Sequence, residues 1–220
     1  MSDSGGDVQR AYHFSFPEDR LRTHQRPLAE LFRGRRSVLD IGCGRGVMLD
    51  LLRERGVGAE GIDIMADAVD YCRGKGLTVH LAEASDFLSD VAARYDGILA
   101  SHVLEHVDFE NATHLLQLCW RALQPGGVIV LVTPNPRDLE VIGDVFWLDP
   151  THRRPYPPEL VASLLESSGY AEVTTRTPWG GPARRRDWAG WLLHKLVLGR
   201  YFGNPETIAV GRKPVERTPA

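Results

Sequence analysis

The sequence is poor in sulfur, with three cysteines and three methionines among 220 residues. Cys43, Cys72 and Cys119 are odd in number and fit no metal-ligand spacing, so neither a disulfide framework nor a cysteine-based zinc site is expected. They read as reduced thiols of a cytoplasmic protein. No apolar run approaches the roughly 18 residues that a membrane span needs. The opening MSDSGGDVQR is polar and acidic and lacks the apolar core of a secretory signal. A strong net charge is missing too: the sum is −3, which excludes a general nucleic-acid binder.

That small sum conceals an asymmetry. Residues 1–150 hold 15 Lys/Arg against 23 Asp/Glu, and residues 151–220 hold 11 against 6. The C-terminal part therefore either meets an anionic partner or scatters its arginines over a solvated surface. What the chain has in quantity is alternation between short β-branched runs and helical patterns, the signature of βαβ units around a parallel sheet. Strands are predicted at Ser37–Ile41, Ala59–Ile64, Leu77–Ala82, Tyr95–Ser101 and Val128–Thr133. Helices are predicted at Val47–Arg55, Met65–Lys75 and Asn111–Leu123, with Pro125-Gly126-Gly127 as a turn. The rhythm then changes. Residues 134–158 carry six prolines and read as a long ordered loop. A helix at Glu159–Ser168, a strand at Ala171–Thr177, a helix near 187–198 and a short strand at Thr207–Gly211 complete the reading. One domain over 1–220 is expected, with 1–10 and 214–220 flexible, and with the 134–158 loop and a 178–205 insert covering an acceptor site or forming an interface.

Between the first strand and the first helix lies Val38-Leu39-Asp40-Ile41-Gly42-Cys43-Gly44-Arg45-Gly46. Glycines there let the backbone turn sharply and let a ligand approach the main chain. Their spacing is Gly-x-Gly-x-Gly; a dinucleotide fingerprint would want glycine where Val47 stands. Asp40, two residues before the first glycine, would repel a pyrophosphate but suits a cation. S-adenosylmethionine has no phosphate and carries an amine and a sulfonium. Asp63, 21 residues after Gly42 at the end of the second strand, is placed to take both ribose hydroxyls. Glu83-Ala84 follow the third strand, where a carboxylate can accept from the adenine amino group. Alone, either acid would be a solvated strand end; together and in order they point to this cofactor.

These residues, with Asp96–Val107 (DGILASHVLEHV) and Leu123–Val132 (LQPGGVIVLV), resemble the class I methyltransferase family over about residues 37–133. The resemblance implies a Rossmann-like α/β fold, a mostly parallel seven-stranded sheet with helices on both faces and a C-terminal antiparallel strand. It implies a cofactor site of Asp40, Gly42, Cys43, Gly44, Asp63, Ile64, Glu83, Ala84, Ser101 and His102, the last two bordering the methionine portion. Asn135-Pro136 and Trp147-Leu148-Asp149-Pro150-Thr151-His152-Arg153-Arg154-Pro155 resemble a subgroup found with polysaccharide and glycolipid assembly enzymes, which implies a sugar or sugar-linked acceptor. That subgroup usually has Asp where Glu83 stands.

Methyl transfer is an in-line displacement, so alignment supplies much of the rate, and a hydroxyl acceptor also calls for a base or a metal. His152, in the proline-rich loop, is the preferred base, with Asp149 to orient it or to help hold a divalent cation. His106 is the second candidate. It lies four residues from His102, and the two are expected on one helical face; no third metal ligand is evident beside them, so no metal site is assigned. Each histidine has a bland alternative as a packed, cofactor-covering or loop-stapling side chain. Arg153 and Arg154 are candidates to grip a phosphate. Arg184–Leu198 is expected to form an amphipathic helix with Trp188, Trp191, Leu192 and Leu196 on one side, packed on its own domain, in a homodimer, or on an anionic membrane surface. The leading function is O-methylation of a sugar or glycan-linked group. Methylation of a small quinone- or polyketide-like metabolite and a catalytically silent cofactor-binding partner are the alternatives.

Overall fold

The computed structural model describes residues 17–178 and 188–215. Seven strands form one sheet: β1 (Ser37–Ile41), β2 (Gly58–Asp63), β3 (Val79–Leu81), β4 (Tyr95–Ser101), β5 (Leu123–Pro134), β6 (Ala171–Arg176) and β7 (Glu206–Arg212). Their order is β3-β2-β1-β4-β5-β7-β6. The first five run parallel, and β7 pairs antiparallel with both β5 and β6. The expected Rossmann-like methyltransferase fold is therefore the observed one.

Alternation along the strands divides the core in two. Leu39, Ile41, Ile98, Ala100, Ile129 and Leu131 face one way, packed with Leu115, Leu116 and Cys119 of one helix (Phe109–Ala122) and Leu164 and Leu165 of another (Pro158–Ser167). Val38, Leu99, Val128, Val130 and Val132 face the other way, onto Leu28, Phe32, Met48, Leu51 and Leu52. Helices cover both faces, so the central strands read as near-continuous apolar runs. Each buried branched side chain contributes roughly 1.5–3 kcal/mol.

In chain order the helices are α1 (Glu18–Ala29), α2 (Val47–Arg53), α3 (Ala66–Gly74), α4 (Ala84–Leu88), α5 (Phe109–Ala122), α6 (Leu139–Gly143), α7 (Pro158–Ser167) and α8 (Trp188–Leu198). The sequence reading misses α1, α4 and α6. In α1 the apolar residues are sparse and Pro27 stands in the last turn, which hides the helical period. The 134–158 segment is not a plain loop: Asp138 accepts from the amides of Glu140 and Val141 and starts α6, and Val145–Leu148 form a 3-10 turn. Pro125-Gly126-Gly127 lies within β5 rather than before it, with a register shift between Tyr95 and Gly97 on the partner strand. The remaining predicted elements stand within a few residues of their observed bounds. Residues 1–10 and 184–187, for which flexibility and helix were expected, lie outside the described residues. Among the described residues no helix is long and apolar enough to cross a membrane.

Candidate cofactor and acceptor site

The strand order reverses between β1 and β4, and the crevice beyond the carboxyl ends of such strands is where open α/β sheets bind ligands. The glycine loop occupies that point. Gly42 and Gly44 have φ of +68° and +50°, which L side chains adopt only with strain. A Cβ on Gly42 would stand 2.8 Å from Val103 Cγ2, whereas nothing lies within 4 Å of one on Gly44. The loop is thus packed at its first glycine and open over its second.

Its amides point inward. Gly42 and Cys43 N–H both donate to the Ile62 carbonyl, at 2.9 and 3.1 Å. Gly44 N–H donates to Asp63 Oδ2 and Met65 N–H to Asp63 Oδ1, each at 2.8 Å. One carboxylate thereby ties the loop to the segment entering α3. With these three amides committed to protein partners, the loop offers no nest for a pyrophosphate. Asp63 keeps acceptor capacity on both oxygens for ribose hydroxyls.

Asp40 is 3% exposed. Burial, and then the negative charge of Asp63, push its carboxyl well above the usual range. A cationic ligand would relieve both effects, so the pair suits an ammonium or sulfonium. Cys43 lends packing rather than reactivity: a hydrogen bond with Cys72 and burial hold its thiol far above the ordinary value. Glu83 caps α4, accepting from Ser85 N–H at 2.7 Å and Asp86 N–H at 3.1 Å through Oε2. Ala84 is buried behind it, and Ile64, 65% exposed, leaves an apolar surface at the same sheet edge. Acids spaced along the edge, an apolar platform, open space over Gly44 and no anion nest fit S-adenosylmethionine.

Ser101 ends β4 and is half-buried. His102 follows at φ +55°. Its ring is fixed by two carboxylates, Nδ1 with Glu105 Oε1 and Nε2 with Glu206 Oε1, both at 3.0 Å; His24 of α1 reaches the same Glu206 oxygen at 2.9 Å. Burial opposes charge on His102, but the two glutamates overcome it and hold the imidazole well above its usual value. Burial would raise Glu206, yet the bonds from His102 and His24 hold it far below the carboxylate range. The stability from the raised histidines is complete below their ordinary pKa of 6.5 and is lost as pH rises through the folded value. That from Glu206 is complete above 4.5 and is lost in acid. Glu206→Gln should therefore lower stability by about 1 kcal/mol near pH 5.5, discounted for the half-exposed rings, and by less in alkaline solution, once the histidines have lost their charge. Urea unfolding under the two conditions measures the difference.

His102 and His106 do not share a helical face. Residues 104–106 form a 3-10 turn, which separates the rings, and His106 turns to the 149–156 segment. That segment docks through the backbone, with Arg153 N–H donating to the Glu105 carbonyl at 2.8 Å. His106 Nδ1 lies 2.8 Å from Thr151 Oγ1, and that hydroxyl donates to Asp149 Oδ1 at 2.6 Å. Thr151 consequently accepts from His106, and Asp149, nearly buried, orients His106 through Thr151. This corrects the expectation that Asp149 orients His152. The Phe146 carbonyl does that, 2.6 Å from His152 Nδ1. A carbonyl only accepts, so the neutral His152 ring carries its proton on Nδ1 and its basic lone pair on Nε2. The two imidazoles pack with centroids 4.7 Å apart.

A third potential metal ligand is present as well. Glu105, His106 and His152 place ligand atoms within 4.8 Å of one another, and Glu105 was not among the residues singled out. Its carboxylate is buried, bonded to His102 and to Thr133 Oγ1 at 3.2 Å. Glu206, His24 and Thr151 also escaped the reading, the first two because 182 residues separate them. The arginines are partly committed: Arg154 lies over the rings of Phe109 and Tyr156, and Arg153 is 3.6 Å from Asp108.

Comparison with known proteins agrees with this geometry. A family model described as a methyltransferase domain matches residues 13–194. The ubiquinone biosynthesis O-methyltransferase of Rattus norvegicus mitochondria is 30% identical over 156 residues, covering 62% of this chain and 45% of its own. That of Methylococcus capsulatus is 34% identical over 106 residues, covering 46% of this chain and 44% of its own. The chain thus spans less than half the length of these curated relatives. The crystal structure of a SAM dependent methyltransferase from Archaeoglobus fulgidus superposes with a TM-score of 0.81 at 29% identity, over 93% of this chain and 98% of that one. The names of these curated relatives match the quinone alternative rather than the glycan subgroup. Sequence motif, sheet order and loop geometry agree with the family match, and the chain belongs to the S-adenosylmethionine-dependent class I methyltransferase family.

Proposed function

We propose that this protein transfers a methyl group from S-adenosylmethionine to the hydroxyl of a small, quinone-like phenolic acceptor, with His152 as general base. The observation that carries the reading is the His152 ring held by the Phe146 carbonyl, which presents a basic Nε2 beside His106. A phenol ionises near pH 10, within reach of a histidine base, whereas a sugar hydroxyl is a weaker acid by several powers of ten. The names of the O-methyltransferase relatives support the same acceptor class. Trp147 and Leu148, next to the Phe146 that packs on His152, are exposed and suit an aromatic or isoprenoid acceptor better than a sugar. The cofactor supplies the activated methyl; the chain aligns the acceptor oxygen and takes its proton.

A second reading rests on the Glu105, His106 and His152 cluster. Both histidines donate Nδ1–H to an oxygen acceptor, the support that ligating histidines ordinarily have, so a divalent cation held there would acidify the acceptor hydroxyl in place of a base. Both readings are tested by incubating the protein with methyl-labelled cofactor and a dihydroxybenzoate, a sugar or a lipid-linked glycan, with and without EDTA. Label in the phenol, undiminished by EDTA, is the expected result. Label lost with EDTA and restored by a divalent salt would favour the cation, and label confined to the glycan would overturn the phenolic acceptor.

A further inference from the structure

Helix α8 is built inside out. No residue of Trp188–Leu198 is buried, and its apolar residues are not gathered toward the body of the protein. Leu192, Leu193, Leu196 and Val197 are exposed, the last two at 76% and 74%. Positions 192, 193, 196 and 197 fall on one side of a 3.6-residue period. The opposite side meets the following turn: Trp191 and His194 pack on Phe202, and Lys195 Nζ donates to the Phe202 carbonyl at 2.5 Å. The apolar stripe thus points away from the Phe202 turn. Single exposed leucines are ordinary, but a contiguous stripe marks a surface that something covers.

Charge says what covers it. From Arg184 to Pro205 the sequence holds five basic residues, Arg184, Arg185, Arg186, Lys195 and Arg200, against one acid, Asp187. A second copy would bring two net-positive segments together, whereas an anionic lipid surface complements that charge while taking up the leucines. The position of α8 agrees. The segment after it is stapled to the start of the loop that leads to His152: Asn135 N–H donates to the Pro205 carbonyl at 2.9 Å, and Asn204 N–H to Asp138 Oδ2 at 2.8 Å. We propose that α8 docks the protein on an anionic membrane surface through Leu192, Leu193, Leu196 and Val197. Docking brings the His152 loop close to that surface, and it holds whatever acceptor the site takes.

The test is sedimentation of the full chain with vesicles of phosphatidylcholine alone or with about 30% phosphatidylglycerol. Binding to the anionic vesicles is expected, with release as salt rises from about 0.1 to 0.5 M. The double variant Leu196→Asp/Val197→Asp should bind at least about tenfold more weakly while its circular dichroism and S-adenosylmethionine affinity stay unchanged, since both side chains are exposed. Failure of the native chain to sediment with anionic vesicles, or equal binding by the variant, overturns the proposal. So does a dimer in light scattering that the double variant abolishes.

Discussion

His152→Ala is expected to lower turnover by about 10²–10⁴, the range for removal of a general base, with little change in cofactor affinity. The geometry separates the two effects. His152 hangs on the Phe146 carbonyl and packs on His106, while the residues proposed to hold the cofactor lie on the glycine loop and at the ends of β2 and β3. Thr151→Val should act more mildly on the same step, because it cuts the link by which Asp149 orients His106 without touching His152. Asp149 is held below the usual carboxylate range by its bonds from Thr151, which outweigh burial, so it remains an anion throughout neutral pH. Single-turnover kinetics with saturating cofactor gives the comparison. A His152→Ala protein that turns over at the native rate would remove histidine from the proton transfer.

Asp63→Ala is expected to weaken S-adenosylmethionine binding by roughly 1–3 kcal/mol, the scale of charged hydrogen bonds to the ribose. The structure adds a consequence that sequence position alone does not contain. Asp63 accepts from Gly44 and Met65 amides, so alanine also leaves two donors without a partner and loosens the loop. Asp63→Asn separates these contributions: it keeps an acceptor for one amide but removes the charge. Calorimetry should place Asn between native and Ala, and equal affinity in all three proteins would take Asp63 out of the site.

The fold was legible because its signals are local. The strand Ser37–Ile41 is short, β-branched and bounded by a basic turn and a glycine loop, and Tyr95–Ser101 is just as plainly delimited; both stand at their predicted bounds. The residues proposed for the cofactor could be named from the sequence for a related reason. Asp40, the glycines, Asp63 and Glu83 each sit at a strand end, so the order of strands in the chain already places them along one edge. The acceptor side was not legible in this way. Its geometry depends on residues 149–156 folding back onto the Glu105 carbonyl, a contact between segments far apart in sequence. The wrong partner was therefore assigned to Asp149: proximity in the chain pointed to His152, whereas the 2.6 Å bond from Thr151 directs its charge to His106. Glu206 illustrates the same limit. It joins His24 and His102 because β7 lies beside β5, which no local pattern announces. The exposed stripe of α8 could be read as an apolar face, but whether it faces the core or the solvent is decided by the Phe202 turn.

The central claim is that the inward-turned glycine loop, with Asp40 and Asp63 behind it, seats a phosphate-free cationic cofactor. It is tested most directly by titrating the native protein in parallel with S-adenosylmethionine and with NAD under identical conditions. One S-adenosylmethionine per chain should bind, more tightly as pH rises through the elevated pKa of Asp40, and NAD should give no saturable heat. Saturable binding of NAD with no response to S-adenosylmethionine would contradict the account.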